Sequence, residues 1–232
     1  MVADDRVDHI KTELKWLARA LDEARDLDVF AQDNAAMARD APDLRELAPL
    51  VEEARRKGHA KAAAAVASGR FRDLVLDATA WVEAGAWLAA DGKAHKRRGR
   101  PAEDFAVAAL DHRCKGLFKR ARDLRGEDDE ARHEARIAAK KLRYTAEAFA
   151  PLFDAGEAKG FIKALKRLQD ELGALNDAAV AAELVARLEL KGRARKAAEG
   201  LLARRAREKP RSVKAAARAM DRLAEVPAFW RD

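Results

Sequence analysis

A lone cysteine, Cys114, is all the sequence offers to thiol chemistry. That excludes an intrachain disulfide framework, suits a reducing compartment, and leaves the thiol as a small buried side chain. Tyr144 is the single tyrosine, and aromatic residues make up only 6% of the chain. Strands built on bulky aromatic and branched side chains are therefore disfavoured. No apolar run is long enough to span a bilayer, and the stretch from Met1 to Lys11 carries several acids, unlike a secretory signal. The expectation is a cytoplasmic protein with no membrane partner. Glycine-rich phosphate loops, nucleophile elbows and close carboxylate pairs are missing. His9, His59, His95, His112 and His133 show no paired ligand spacing, and Asp111, His112 and Cys114 crowd too closely for a metal set. Neither catalysis, a metal nor a cofactor is expected.

What is present is charge and alanine. Charged residues account for 38% of the 232 residues and hydrophobic ones for 49%, enough for a real core. The apolar share leans on alanine, which favours closely packed helices, so the expected fold class is all-α. Lysine and arginine outnumber aspartate and glutamate by 47 to 40, and a pI near 9.6 makes an anionic partner plausible.

Ile10, Leu14, Leu17 and Leu21, with Trp16 beside them, predict a helix from about Asp5 to Ala38. Pro42 opens the next, which keeps its rhythm to Gly58, where a bend or frayed turn is expected. A third runs from Arg70 to Ala90. Asp91 to Arg100 has no apolar periodicity, precedes Pro101 and reads as a linker, dividing a first half at 1–100 from a second at 101–232. Further helices are expected at Ala102–Leu124, Asp128–Phe153, Glu157–Leu190, Gly192–Glu208 and Ser212–Glu225. Leu17, Leu21, Asp26 and Val29 align with Leu168, Leu172, Asp177 and Val180 at one constant offset, with Lys15 meeting Lys166. Each half also ends near a tryptophan, Trp87 or Trp230. Two related helical bundles, a divergent tandem repeat, follow from that register. The same offset places the counterpart of His133 ahead of Met1, so the first repeat reads as incomplete at its N-terminus. The apolar face of the first helix would then lack cover, and a homodimer is one way to supply it.

The segment from His133 to Tyr144 is the most informative. At about 100° per residue, Ala135, Ala138, Leu142, Ala146 and Phe149 share a stripe roughly 80° wide. His133, Arg136, Lys140 and Arg143, spaced three, four and three, form a separate cationic row, with Arg132 at its edge and Lys141 beside it. Like charges so placed destabilise an isolated helix, so something acidic is expected to face them: neighbouring carboxylates, or a ligand. Two more rows favour a ligand. His112, Lys115, Lys119 and Arg122 recur on the preceding helix, and Lys159, Lys163 and Lys166 on the following one. Were the three rows to converge, they would line a strongly positive groove suited to a flexible polyanion. Asp26 and Asp177 would act within, orienting arginines or closing an internal salt bridge. All four tryptophans, Trp16, Trp81, Trp87 and Trp230, read as core packing.

His133-x-x-Arg136-x-x-x-Lys140-x-x-Arg143-Tyr144, followed by Leu168-Gln-Asp-Glu-Leu-Gly173-x-x-Asn176-Asp177, resembles the CHAD family, the conserved histidine α-helical domain. The run from Leu17 through Arg25-Asp-Leu-Asp-Val29 is similar to that family's other signature. The resemblance implies two related helical bundles that bind inorganic polyphosphate without catalysis, and an association with polyphosphate granules. It makes His133, Arg136, Lys140 and Arg143 the expected phosphate contacts, with Lys166 and Lys15 as additions. The basic helix that family members carry ahead of the Leu17 signature has no counterpart here.

The function expected from the whole is non-catalytic polyphosphate binding by His133, Arg136, Lys140, Arg143, Lys141, Lys163, Lys166, Lys15, Lys115 and Lys119. Nucleic-acid binding is the alternative that charge alone would permit, although exposed aromatics for base stacking are scarce. A role as accessory module to a triphosphate- or polyphosphate-processing enzyme is a further one.

Overall fold

The computed structural model describes residues 5–88, 92–126 and 128–231, and among them the chain is helical with no strand. The helices are α1 (Asp5–Met37), α2 (Ala48–Val66), α3 (Gly69–Ala84), α4 (Gly92–Arg98), α5 (Ala102–Arg120), α6 (Asp129–Phe149), α7 (Ala155–Arg187) and α8 (Gly192–Glu225). Four differ from expectation. The third helix, expected to reach Ala90, stops at Ala84 because Gly85 is extended. Gly58 lies inside α2, where a Cβ would stand 3.2 Å from Leu27 Cδ1 and 3.4 Å from the Ala24 Cα; the glycine lets α2 approach α1 closely and does not end the helix. Within the linker, Gly92 to Arg98 forms a short helix, in which lysine, alanine and arginine supply most of the helix propensity. Pro210 does not divide the last segment: α8 runs through it, and because Ala206 and Pro210 are both exposed, water can serve the carbonyl that proline leaves unpaired. Ala90 and Asp91 lie outside the described residues.

Two compact units are present, and they do not follow a single cut at residue 100. Residues 1–99 with 180–201 make the first; 100–179 with 202–232 make the second. In the first, Leu27, Phe30, Leu44, Leu47 and Val51 pack with Ala181, Leu184 and Leu201. The buried Asn34 donates from Nδ2 to the Leu44 carbonyl at 3.2 Å, tying the 3-10 turn at Pro42–Leu47 to α1. Leu14 stays half exposed, as do Val75 and Val82 on α3, with Leu76 more open still. Leu17 and Leu21 are only half-buried, whereas their register mates Leu168 and Leu172 are fully buried.

The second unit packs the alanine stripe of α6 against Leu110 and Leu117 of α5, Phe161, Leu165, Leu168 and Leu172 of α7, and Met220 and Leu223 of α8. Phe161 anchors it, with Trp230 edge-on at 4.9 Å and Phe229 at 5.8 Å between ring centroids. Trp230 alone among the tryptophans is buried; Trp16 lies half-buried beneath Arg70, and Trp81 pairs with Trp87 near the surface. Asp111 on α5 pins the chain's end, its Oδ1 accepting from Trp230 Nε1 at 2.9 Å and Arg231 Nη2 at 2.6 Å. The Trp230 N–H, with the Arg231 guanidinium next, holds the Asp111 carboxyl below the usual aspartate range. Burial pushes the half-buried Cys114 thiol up, disfavouring the thiolate.

Phe161→Ala should lower the unfolding free energy by about 3–5 kcal/mol, read from chemical denaturation. Asp111→Asn should cost about 1 kcal/mol at neutral pH. Because the Asp111 carboxyl is depressed in the folded state, its contribution is present above the ordinary aspartate value and fades as pH falls through the folded one. Melting curves of the two proteins should therefore converge in acid, and a gap that stays constant to pH 2 would contradict the assignment.

Candidate anion-binding site on the basic helix

α6 begins where Asp128 Oδ1 accepts from the backbone N–H groups of Glu130 at 2.9 Å and Ala131 at 3.3 Å. Asp129 follows in the first turn, joined to Arg132 through Oδ1 and to Lys209 through Oδ2 at 2.6 Å. Lys209, with Arg132 next, keeps the Asp129 carboxyl below its usual range. Arg132, only 4% exposed, also donates to the Gly126 carbonyl. This arginine is structural: it locks the entry to α6 and lies outside the functional row.

Ala135, Ala139, Leu142 and Ala146 are fully buried, with Ala138 and Phe149 packed at the edge of the stripe. Burying that seam sets the rotation of α6, and the row of His133, Arg136, Lys140 and Arg143 then borders α7. His133 Nδ1 meets Asn176 Oδ1 at 3.0 Å, and Arg143 Nε donates to Gln169 Oε1 at 2.7 Å. These two contacts run in opposite senses along the helices, so α6 and α7 are antiparallel here. Between them on α7 lies Gly173, where an added Cβ would meet nothing within 4 Å, leaving open space over the backbone. The Asn176 carbonyl oxygen requires a proton on His133 Nδ1, which turns Nε2 away from this contact.

Arg143 also donates to Glu147 at 2.9 Å and lies over the Tyr144 ring at 4.9 Å from its centroid; Lys140 Nζ approaches the same ring at 5.8 Å. Tyr144 itself is 49% exposed. Arg136 and Lys140 form no ion pair among the described residues, and neither do Lys163 and Lys166. Neighbouring carboxylates therefore satisfy only Arg143 in this row. Lys166 stands one turn before Gln169 on α7 and extends the cationic line, with Lys163 further round toward solvent.

Other residues expected at the site fall elsewhere. Lys141 points to the opposite flank of α6, where it lines a cleft with α5. Lys115 and Lys119 are exposed on the side of α5 away from its buried Leu110 and Leu117, so the α5 row does not converge with that of α6. Lys15 is exposed on α1 in the other compact unit. Asp177 takes part through its backbone carbonyl, which accepts from Arg205 Nη1 at 3.0 Å. Gln169 is the residue that charge patterning misses, being neutral; its position three residues before Leu172 on an amphipathic helix was the available signal.

The CHAD domain family model matches residues 1–186. Among solved structures, the CHAD domain from the plant Ricinus communis superposes with a TM-score of 0.66 at 29% identity, over 96% of this chain and 69% of that one. No curated protein matches the sequence. No helix among the described residues is long and apolar enough to cross a membrane. With the matched residues holding both the His133–Tyr144 and Leu168–Asp177 motifs, this chain belongs to the CHAD domain family.

Proposed function

We propose that the α6–α7 flank of the second unit holds inorganic polyphosphate without transforming it. The observation that carries the reading is the pair Arg136 and Lys140, neighbours on one helix face, without an ion pair among the described residues and framed by His133 and Arg143. A row of like charges raises the energy of the bare helix, and a bound polyanion relieves it. Arginine offers paired donors to phosphate oxygens, lysine a mobile charge, and the open space beside Gly173 admits a chain along the helix. Lys166 lengthens the track. Such a ligand releases counterions on binding, so affinity falls with salt. Residence in the cytoplasm with polyphosphate granules, or beside an enzyme that processes triphosphates, would follow from this activity.

Tyr144 favours a second reading, since an exposed ring among cations is what a single-stranded nucleic acid uses for stacking. Arg143 already covers one face of that ring, which weighs against it.

Replacing Arg136 and Lys140 together with glutamine should weaken retention of long-chain polyphosphate roughly a hundredfold, at about 1.5 kcal/mol or more for each charged contact, while the helical circular dichroism stays intact. Retention at wild-type strength would reject the site. In competition, polyphosphate should displace single-stranded RNA far more readily than the reverse, and Tyr144→Ala should leave polyphosphate binding nearly unchanged. RNA prevailing in that competition would favour the stacking interpretation. Phosphate release on adding magnesium or manganese would refute the non-catalytic part.

A further inference from the structure

We propose that the cleft between α5 and α6 is a second, separate anion site, shaped for a compact molecule bearing a pyrophosphate group. It encloses about 290 Å³ and is lined by His112, Arg113, Gly116 and Arg120 from α5 and by Glu134, Ile137, Ala138 and Lys141 from α6. Three obligate cations and a histidine thus surround a space at the lower end of the range for small-molecule pockets, about 300 Å³, too small for a long chain. The cleft lies on the other flank of α6 from the His133 row, because Lys141 follows Lys140 by one residue and about 100° of rotation.

Internal acids account for only one of these three cations, Arg120. Arg113 and Lys141 form no ion pair among the described residues. Among the described residues Glu134 is the one carboxylate lining the cleft, and it forms an ion pair with Arg120, Oε2 to Nε at 3.6 Å, too long for a hydrogen bond. Arg120 Nη1 instead donates to the Gly116 carbonyl at 3.1 Å.

Gly116 supplies the independent observation. A glycine in the interior of a helix is less favourable than alanine by about 1 kcal/mol, so a structural reason for it is expected. Packing gives none. An added Cβ would meet only Arg120 Nη1, at 3.5 Å, an ordinary contact with the end of a flexible side chain. The missing side chain instead leaves the α5 wall of the cleft open toward Ile137 and Ala138 on the α6 wall, which also carries Lys141. Pyrophosphate oxygens suit Arg113, Arg120 and Lys141 through charge-assisted hydrogen bonds, and any organic remainder would lie against Ile137.

Titration calorimetry of the full chain with inorganic pyrophosphate, and with ADP as a second probe, tests this. Gly116→Leu fills the cleft without altering charge and favours the helix, so it should weaken binding at least about tenfold while preserving the melting temperature. Should that variant melt early, Arg113→Gln with Lys141→Gln replaces it and should produce the same loss. Glu134→Gln should tighten binding severalfold, whereas Glu157→Gln, an equal change in net charge at the exposed start of α7, should not. The Arg136→Gln, Lys140→Gln protein should bind pyrophosphate as wild type does, whatever its behaviour toward polyphosphate, so the two sites fail or stand separately. The inference is overturned if neither probe binds below about 1 mM, if filling the cleft changes nothing, or if the loss appears only in the Arg136 and Lys140 variant.

Discussion

Burial of one seam on α6 governs the rest of the second unit. Ala135, Ala139, Leu142 and Ala146 are pressed into the core with no exposed surface, and alanine there lets α5, α7 and α8 come close enough for Phe161, Leu165 and Leu168 to interlock. Once the seam is fixed, a helix of 3.6 residues per turn has no remaining rotational freedom, and every other side chain on α6 receives a defined direction. His133, Arg136, Lys140 and Arg143 go to the α7 flank; Glu134, Ile137 and Lys141 go to the α5 flank. The electrostatics of the unit follow from hydrophobic packing.

Cations on the same helix consequently have different roles. Arg132 is buried and tied to Asp129 and the Gly126 carbonyl, so its charge is spent in holding the helix entry. Arg143 is intermediate: Gln169, Glu147 and the Tyr144 ring hold its guanidinium in place while a fifth of its side chain remains open. Arg136 and Lys140 form no ion pair with a carboxylate among the described residues. Residue type does not distinguish these cases, but burial and partners do.

Helix boundaries show the same division between local and non-local control. Periodicity located α1, α5, α6 and α7 to within a few residues, and at α6 and α7 the local side chains of Asp128 and Asp154 accept the first amides. Gly58 and Pro210 misled for opposite reasons. The glycine answers to a close neighbour on α1, invisible in its own segment, and the proline stands where solvent can satisfy the carbonyl it abandons. Segment 180–201, assigned by chain order to the second half, packs in the first unit because α7 and α8 are each long enough to contribute to both cores.

From composition and spacing alone came the all-α class, the amphipathic rhythm, and the cationic row of α6, because these depend on properties that recur every three or four residues along one helix. The motif resemblance likewise needed only order and identity. Which rows share a surface was decided by tertiary structure. The row of α5 turns away, that of α7 joins through Lys166, and Lys141 leaves its neighbours for another cleft, since the angle at which each helix sits depends on core contacts made with residues far away in the chain.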